Sequence, residues 1–177
     1  GYWNRRDSIQ NCHFIDAAFN GIVLDRGSDG WVITGNSFMF KDENAWDGAN
    51  TTLISLTEPY NEISHLVSGN YFGGSGPECT GTPALMKPLD FTAIRAKGRV
   101  NIIGNTFKRI HFDDFYSYST YSYFINADGD PYVEPFYGDI MNNVFGSTDP
   151  ADSIHFNTTQ EIKFFIFIFG RPTSYND

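Results

Sequence analysis

A six-residue phrase recurs five times along the chain, so the fold must place five equivalent turns in equivalent surroundings. The phrase reads apolar, any residue, Gly or Asn, usually Asn, any residue, Phe. Its copies are IQNCHF (9–14), ITGNSF (33–38), VSGNYF (67–72), IIGNTF (102–107) and IMNNVF (140–145). A second short apolar segment stands upstream of the last four copies: GIVL (21–24), TLISL (52–56), FTAIRA (91–96) and SYFIN (122–126). A fifth, SIHF (153–156), precedes the final apolar run FFIFIF (164–169), which takes the place of the phrase. Each unit reads as strand, loop, strand, Gly-Asn corner, short strand, loop.

The phrase suits a chain that turns a corner and lays each strand on its equivalent in the next unit. Alternation sends Ile or Val and Phe inward, and the residues that tolerate a left-handed backbone take the bend. An Asn at the corner can pair its amide with the Asn one unit away, at a strand spacing of about 4.8 Å. Phe14, Phe38, Phe72, Phe107 and Phe145 then stack as an internal ladder. Their spacings are 24, 34, 35 and 38 residues, so the shortest is near a bare unit and the others carry insertions on its sides. Dipeptides at Asn20-Gly21, Asp29-Gly30 and Asp47-Gly48 suggest an antiparallel sandwich instead. A Gly-Asn step before Phe at one place in every unit is what a sandwich leaves unexplained.

Composition limits the alternatives. The chain has 177 residues, 41% of them hydrophobic and 17% aromatic, enough for one domain with a real core. Its net charge of −9 opposes a surface built to neutralise phosphates, so neither nucleic acid nor an anionic membrane is an expected partner. The longest apolar run is far shorter than the roughly 20 residues of a membrane-spanning helix. Cys12 and Cys79 are far apart with no CxxC, and both read as free thiols. Helical character is weak and confined to residues 42–46 and 84–89. Gly1 in place of a Met reads as a fragment or processed product of a longer chain.

The "GI.L... I.GN.F" pattern resembles the coils of right-handed parallel β-helix proteins, the pectate-lyase-like superfamily, and in particular phage tailspikes that degrade bacterial surface polysaccharide. The resemblance covers residues 9 to about 169 and carries no catalytic motif. It implies an all-β solenoid of about five to six coils over residues 1–177 as a single segment. It also implies a homotrimer, a capsular or O-antigen polysaccharide as partner, no cofactor, and a place on a virion tail or extracellular surface.

Chemistry is then sought in the loops. After the Phe corners, residues 39–51 carry Asp42, Glu43, Trp46 and Asp47, residues 73–90 form a second loop, and residues 108–121 carry His111, Phe112, Asp113, Asp114, Phe115, Tyr116, Tyr118 and Tyr121. Aromatic faces cover sugar rings and paired carboxyls divide acid and base roles. Two loops on coils two apart are about 10 Å apart axially, nearer to the roughly 6.5–9.5 Å of inverting glycosidases than to retaining ones. Inverting hydrolysis therefore pairs Asp42, Glu43 or Asp47 with Asp113 or Asp114.

A second stripe of loops holds Arg95, Lys97 and Arg99, which could bind a sugar carboxylate and support β-elimination; alternating basic residues on a strand also simply face solvent. The segment 126–138 lacks the glycine and terminal glutamate of a calcium loop. The four histidines show no metal spacing. A pure receptor-binding module and a structural spacer remain as rival functions, though a spacer has no use for long acidic and aromatic loops. The aromatics of residues 108–137 suit a subunit contact as well as a sugar platform.

Overall fold

A computed structural model describes residues 4–25, 27–42, 50–57, 62–86, 90–113, 122–127, 136–157 and 163–168. The fold is all-β with parallel sheets, and every named strand pairing is parallel. Among the described residues the sandwich's antiparallel pairing reduces to one isolated bridge, Gly76 with Thr80. Among the described residues helical geometry is limited to two three-residue 3₁₀ turns, Pro77–Cys79 and Pro150–Asp152.

The strands of the repeated phrase form a five-stranded sheet: His13–Ile15, Ser37–Met39, Tyr71–Phe72, Thr106–Phe107 and Val144–Phe145. Their register places Phe14 beside Phe38, then Phe72, Phe107 and Phe145. The rings stack face to face with centroids 4.7, 4.8, 4.7 and 4.9 Å apart. That is the spacing of neighbouring strands, so backbone pairing and ring stacking impose the same repeat. The apolar residues before the corner lie on Ser8–Gln10, Val32–Thr34, His65–Ser68, the end of Asp90–Ile103, and Ile140–Met141, again parallel and in register.

The corner between these two strand positions is held by a ladder of amides. Asn36 Nδ2 donates to Asn70 Oδ1, Asn70 Nδ2 to Asn105 Oδ1, and Asn105 Nδ2 to Asn143 Oδ1, each at 3.0 Å. Each Nδ2 also donates to a backbone carbonyl of the preceding unit: Ile9, Ile33, Val67 and Ile102. Asn36, Asn70 and Asn105 are fully buried, and these bonds are what make such burial tolerable. The residue before each takes the left-handed backbone: Asn11 at φ 53°, Gly35 at 64°, Gly69 at 59°, Gly104 at 66° and Asn142 at 56°. Cys12 stands where the other units have the ladder Asn, and only its backbone N–H joins, donating to Asn36 Oδ1 at 2.9 Å.

A third strand position falls where sequence reasoning expected loops and weak helix. Ala84–Met86, Ile110–Asp113 and Ile154–Asn157 pair in parallel. The loops 73–90 and 108–121 thus each contain a strand, because Ala84, Met86, Ile110 and Phe112 alternate inward and are buried. SIHF belongs here, in register with Ile110–Asp113. The final run, Lys163–Ile168, pairs instead with Ser122–Ala127. It therefore continues the upstream sheet and does not replace the phrase.

That upstream sheet is built from Asn20–Leu24, Asn50–Thr57, the start of Asp90–Ile103, Ser122–Ala127 and Lys163–Ile168. Its strands break the simple inward-outward alternation. Thr52, Thr92 and Tyr123 are in register, and so are Ile54, Ile94 and Ile125. The residues between, Leu53, Ala93 and Phe124, are at most 1% exposed, as are the isoleucines that follow them. Two consecutive inward side chains mean that each strand bends at this point. Gly21 occupies the same place in the first unit, where a Cβ would approach Leu53 O to 2.7 Å and the Phe38 ring to 2.8 Å. Phe124 reaches across the interior to meet Phe107 edge-on at 5.5 Å and Phe91 at 6.0 Å. One hydrophobic cluster unites the inward residues of all the sheets.

A charged clamp closes the side of the third strand position. Asp152 Oδ1 accepts from Arg109 Nε at 2.8 Å, its Oδ2 contacts Lys108 Nζ at 3.1 Å, and Arg109 Nη1 donates to the Gly81 carbonyl. The Arg109 hydrogen bond, followed by that of Lys108, holds the Asp152 carboxyl below its ordinary value of 3.8.

Two consequences are measurable. Asn70→Ala strands the Asn36 N–H and amide donors in the interior and should cost about 1–3 kcal/mol in urea denaturation, clearly more than Cys12→Ala, where only the backbone N–H joins the ladder. Because the folded-state pKa of Asp152 is depressed, its contribution is present above the ordinary carboxylate range and lost as pH falls through and below it. The stability gap between the parent and Asp152→Asn should therefore be widest near neutral pH and close below about pH 4; a constant gap would contradict the clamp.

Candidate functional site

The bend in the upstream sheet makes its outer face concave. With two inward residues in a row, the outward positions on either side of the bend turn toward a common space. A cavity of about 300 Å³ opens there. It is lined by Asn50, Thr51 and Thr52 of one strand, Asp90, Thr92 and Arg95 of the next, and Tyr123 and Asn126 of the third. Its volume is at the small end of the range for ligand pockets. The lining residues are all of polar type, with one aromatic ring, one carboxylate and one guanidinium among those described, and their carbon atoms leave a substantial share of the surface apolar.

Register fixes the neighbours within the cleft. Asp90 lies beside Asn50, Thr92 between Thr52 and Tyr123, and Arg95 between Ser55 and Asn126. Asn126 is only 6% exposed, and its Oδ1 accepts no hydrogen bond among the described residues. A buried acceptor left without a donor costs about 1–3 kcal/mol. The strand that carries it is fixed by Phe124, whose ring is held on the other side by the Phe core.

The residues singled out from the sequence separate into distinct places. Arg95 lines the cleft; Lys97, two positions on, shares its outward face and is half-buried. Asp42 is exposed and is not part of the cleft lining; its N–H, with that of Lys41, donates to Asp16 Oδ1 at 3.1 and 2.7 Å. Asp113 ends the strand Ile110–Asp113, in register with Asn157 on a different sheet from the cleft. Phe112 is a core residue, 4% exposed and stacked on Phe156 at 5.0 Å, so its ring cannot serve as a sugar platform. Glu43, Trp46, Asp47, Asp114, Phe115, Tyr116, Tyr118 and Tyr121 lie outside the described residues.

Asp90, Thr92, Tyr123 and Asn126 were not anticipated, although the sequence carries a signal for them. Thr-Leu-Ile-Ser (52–55), Thr-Ala-Ile-Arg (92–95) and Tyr-Phe-Ile-Asn (123–126) each place two apolar residues between two polar ones. Such a break in alternation marks a bend with both flanking side chains outward.

Other reactive groups have structural settings. Burial pushes the Cys79 thiol up to about 11, keeping it protonated and unreactive at neutral pH. His111 and His155 are register neighbours with rings 5.5 Å apart. Burial first, and His155 second, hold the His111 pKa below its ordinary value. Among the described residues no three metal-ligating side chains gather at one point.

Comparison with protein-family models, with curated proteins and with solved structures finds no match.

The division between core and cleft aromatics has a direct test. Phe112→Ala should lower stability by about 3–5 kcal/mol in chemical denaturation. Tyr123→Ala, at a half-buried position on the outward face, should cost clearly less than Phe112→Ala.

Proposed function

We propose that the units wind as a right-handed parallel β-helix of about five to six coils, a tailspike-like module that recognises a bacterial surface polysaccharide in the cleft between residues 50 and 126. The winding is supported by the strand order. In successive units the chain visits the upstream sheet, the sheet before the corner and the Phe sheet in the same sequence, and in three of them, among the described residues, the third strand position follows.

The observation that carries the functional reading is the cleft itself: a concave, polar strip crossing three parallel strands and including one tyrosine ring. A glycan offers many hydroxyls and one apolar face per ring, and this lining offers donors, acceptors and an aromatic surface to match. A chain polymer can also run across successive strands, because each presents its outward residues at the same height.

Recognition is what this geometry supports best. Endo-hydrolysis, expected from the acid-rich loops, calls for two carboxyl groups facing one glycosidic bond, and Asp90 is the carboxylate that the described lining supplies. Asp42 and Asp113 remain testable as the alternative pair. A homotrimer on a virion tail or extracellular surface accompanies the reading through the tailspike resemblance.

The test is to incubate the protein with a panel of capsular polysaccharides and lipopolysaccharides, following bound polymer, reducing ends and ultraviolet absorbance together. Tyr123→Ala should weaken binding about tenfold, the scale of one lost stacking contact, while Asp42→Asn and Asp113→Asn leave it unchanged. Binding indifferent to Tyr123 would move the site elsewhere. Reducing ends that vanish with Asp42→Asn or Asp113→Asn would restore hydrolysis by the loop acids.

A further inference from the structure

The buried oxygen in the cleft says more about what fits there than the charges do. Asn126 is a lining residue of the cavity and is only 6% exposed, and its buried Oδ1 has no donor among the described residues. Arg95 stands beside it, in register on the neighbouring strand. A group lodged between them meets the Arg95 guanidinium on one side and an open acceptor on the other.

Resting on the polysaccharide reading above, we infer that the Asn126 end of the cleft is a subsite for a neutral hexose residue, and that one sugar hydroxyl bridges Asn126 Oδ1 and the Arg95 guanidinium. A hydroxyl is both donor and acceptor, so a single group gives its proton to Asn126 and accepts from Arg95. A sugar carboxylate is acceptor only. It would pair with Arg95 but set its oxygens against the Asn126 carbonyl, leaving that oxygen buried and unsatisfied. The charge balance points the same way: Asp90 and Arg95 are the formal charges among the described lining residues, and they cancel. The sugar carboxylate expected for Arg95 from the sequence is therefore disfavoured at this position, and Asn126 becomes the residue that sets the preference.

The decisive variant is Asn126→Leu, of similar size but without the oxygen. If Oδ1 is held in reserve for a ligand, its removal should leave the thermal midpoint unchanged or raise it. Affinity for a neutral polysaccharide bound by the parent should fall at least about tenfold, as for a lost charge-assisted bond network. Asn126→Asp, which keeps an acceptor oxygen, should retain more of that affinity than Asn126→Leu. In a titration with methyl glycosides of glucose, galactose, mannose and rhamnose, and with glucuronate and galacturonate, the Asn126 side-chain amide resonance should respond to a neutral sugar and not to the uronates.

Destabilisation by Asn126→Leu would show that Oδ1 has an internal role and overturn the inference. So would a uronate bound as tightly as its neutral counterpart. Polysaccharide binding that survives Asn126→Leu overturns this subsite and leaves the broader reading standing. A parent protein that binds no glycan at all overturns both.

Discussion

Parallel, in-register stacking at one strand spacing is the constraint from which the rest of the structure follows. Because each strand's neighbour is its own equivalent one unit away, side chains at equivalent positions meet at about 4.8 Å, and where the residue repeats it must pack against its own kind. Few residue types do well in that situation. An Asn amide can donate to one copy and accept from the other, which the chain from Asn36 to Asn143 does. A Phe ring can present a face to each side, as Phe38, Phe72 and Phe107 do. Like charges would repel at this distance, and Arg95 accordingly has Ser55 and Asn126 as neighbours in its row.

The bend is where this regularity is turned to use. A sheet that kept strict alternation would present a flat outer face. Placing Leu53 with Ile54, Ala93 with Ile94, and Phe124 with Ile125 on the inside shifts the phase of each strand at the same height. The outward residues then close around a shared hollow. The core residue at the bend changes size from Gly21 through Leu53 and Ala93 to Phe124, while the strand positions stay in register. The interior absorbs that variation through the edge-on contacts of Phe124, so the cleft is shaped from beneath by residues that no ligand touches.

How much of this the sequence disclosed depended on how directly a residue's role shows in a short pattern. The Phe and Asn ladders were legible because the Gly-Asn-x-Phe order is enforced at every repeat by a left-handed corner and a buried amide, neither of which tolerates much substitution. The third strand position was not, because Ile110–Asp113 and Ala84–Met86 are short and sit amid polar, Gly- and Pro-rich residues that read as loop. Phe112 looked like a loop aromatic for the same reason. SIHF has the apolar alternation of any short strand, and only pairing with Ile110–Asp113 gives its place. In the cleft, Arg95 was found by its charge. Tyr123 and Asn126 are uncharged residues inside a strand, and from the sequence Asn126 reads only as the first position of a poor calcium loop.

The amide ladder also has a polarity. The Nδ2 groups of Asn36, Asn70 and Asn105 each point toward the oxygen of the later unit, so the local dipoles along the row add head to tail and do not cancel. The two ends of the row are therefore chemically unlike. At the early end the open acceptor, Asn36 Oδ1, is met by a main-chain N–H from Cys12, which any residue but proline could supply. At the late end the Asn143 Nδ2 donates to the Ile102 carbonyl, and its second hydrogen calls for an acceptor, which a backbone N–H at the matching corner does not supply. Extension of the row is thus permissive in one direction and selective in the other.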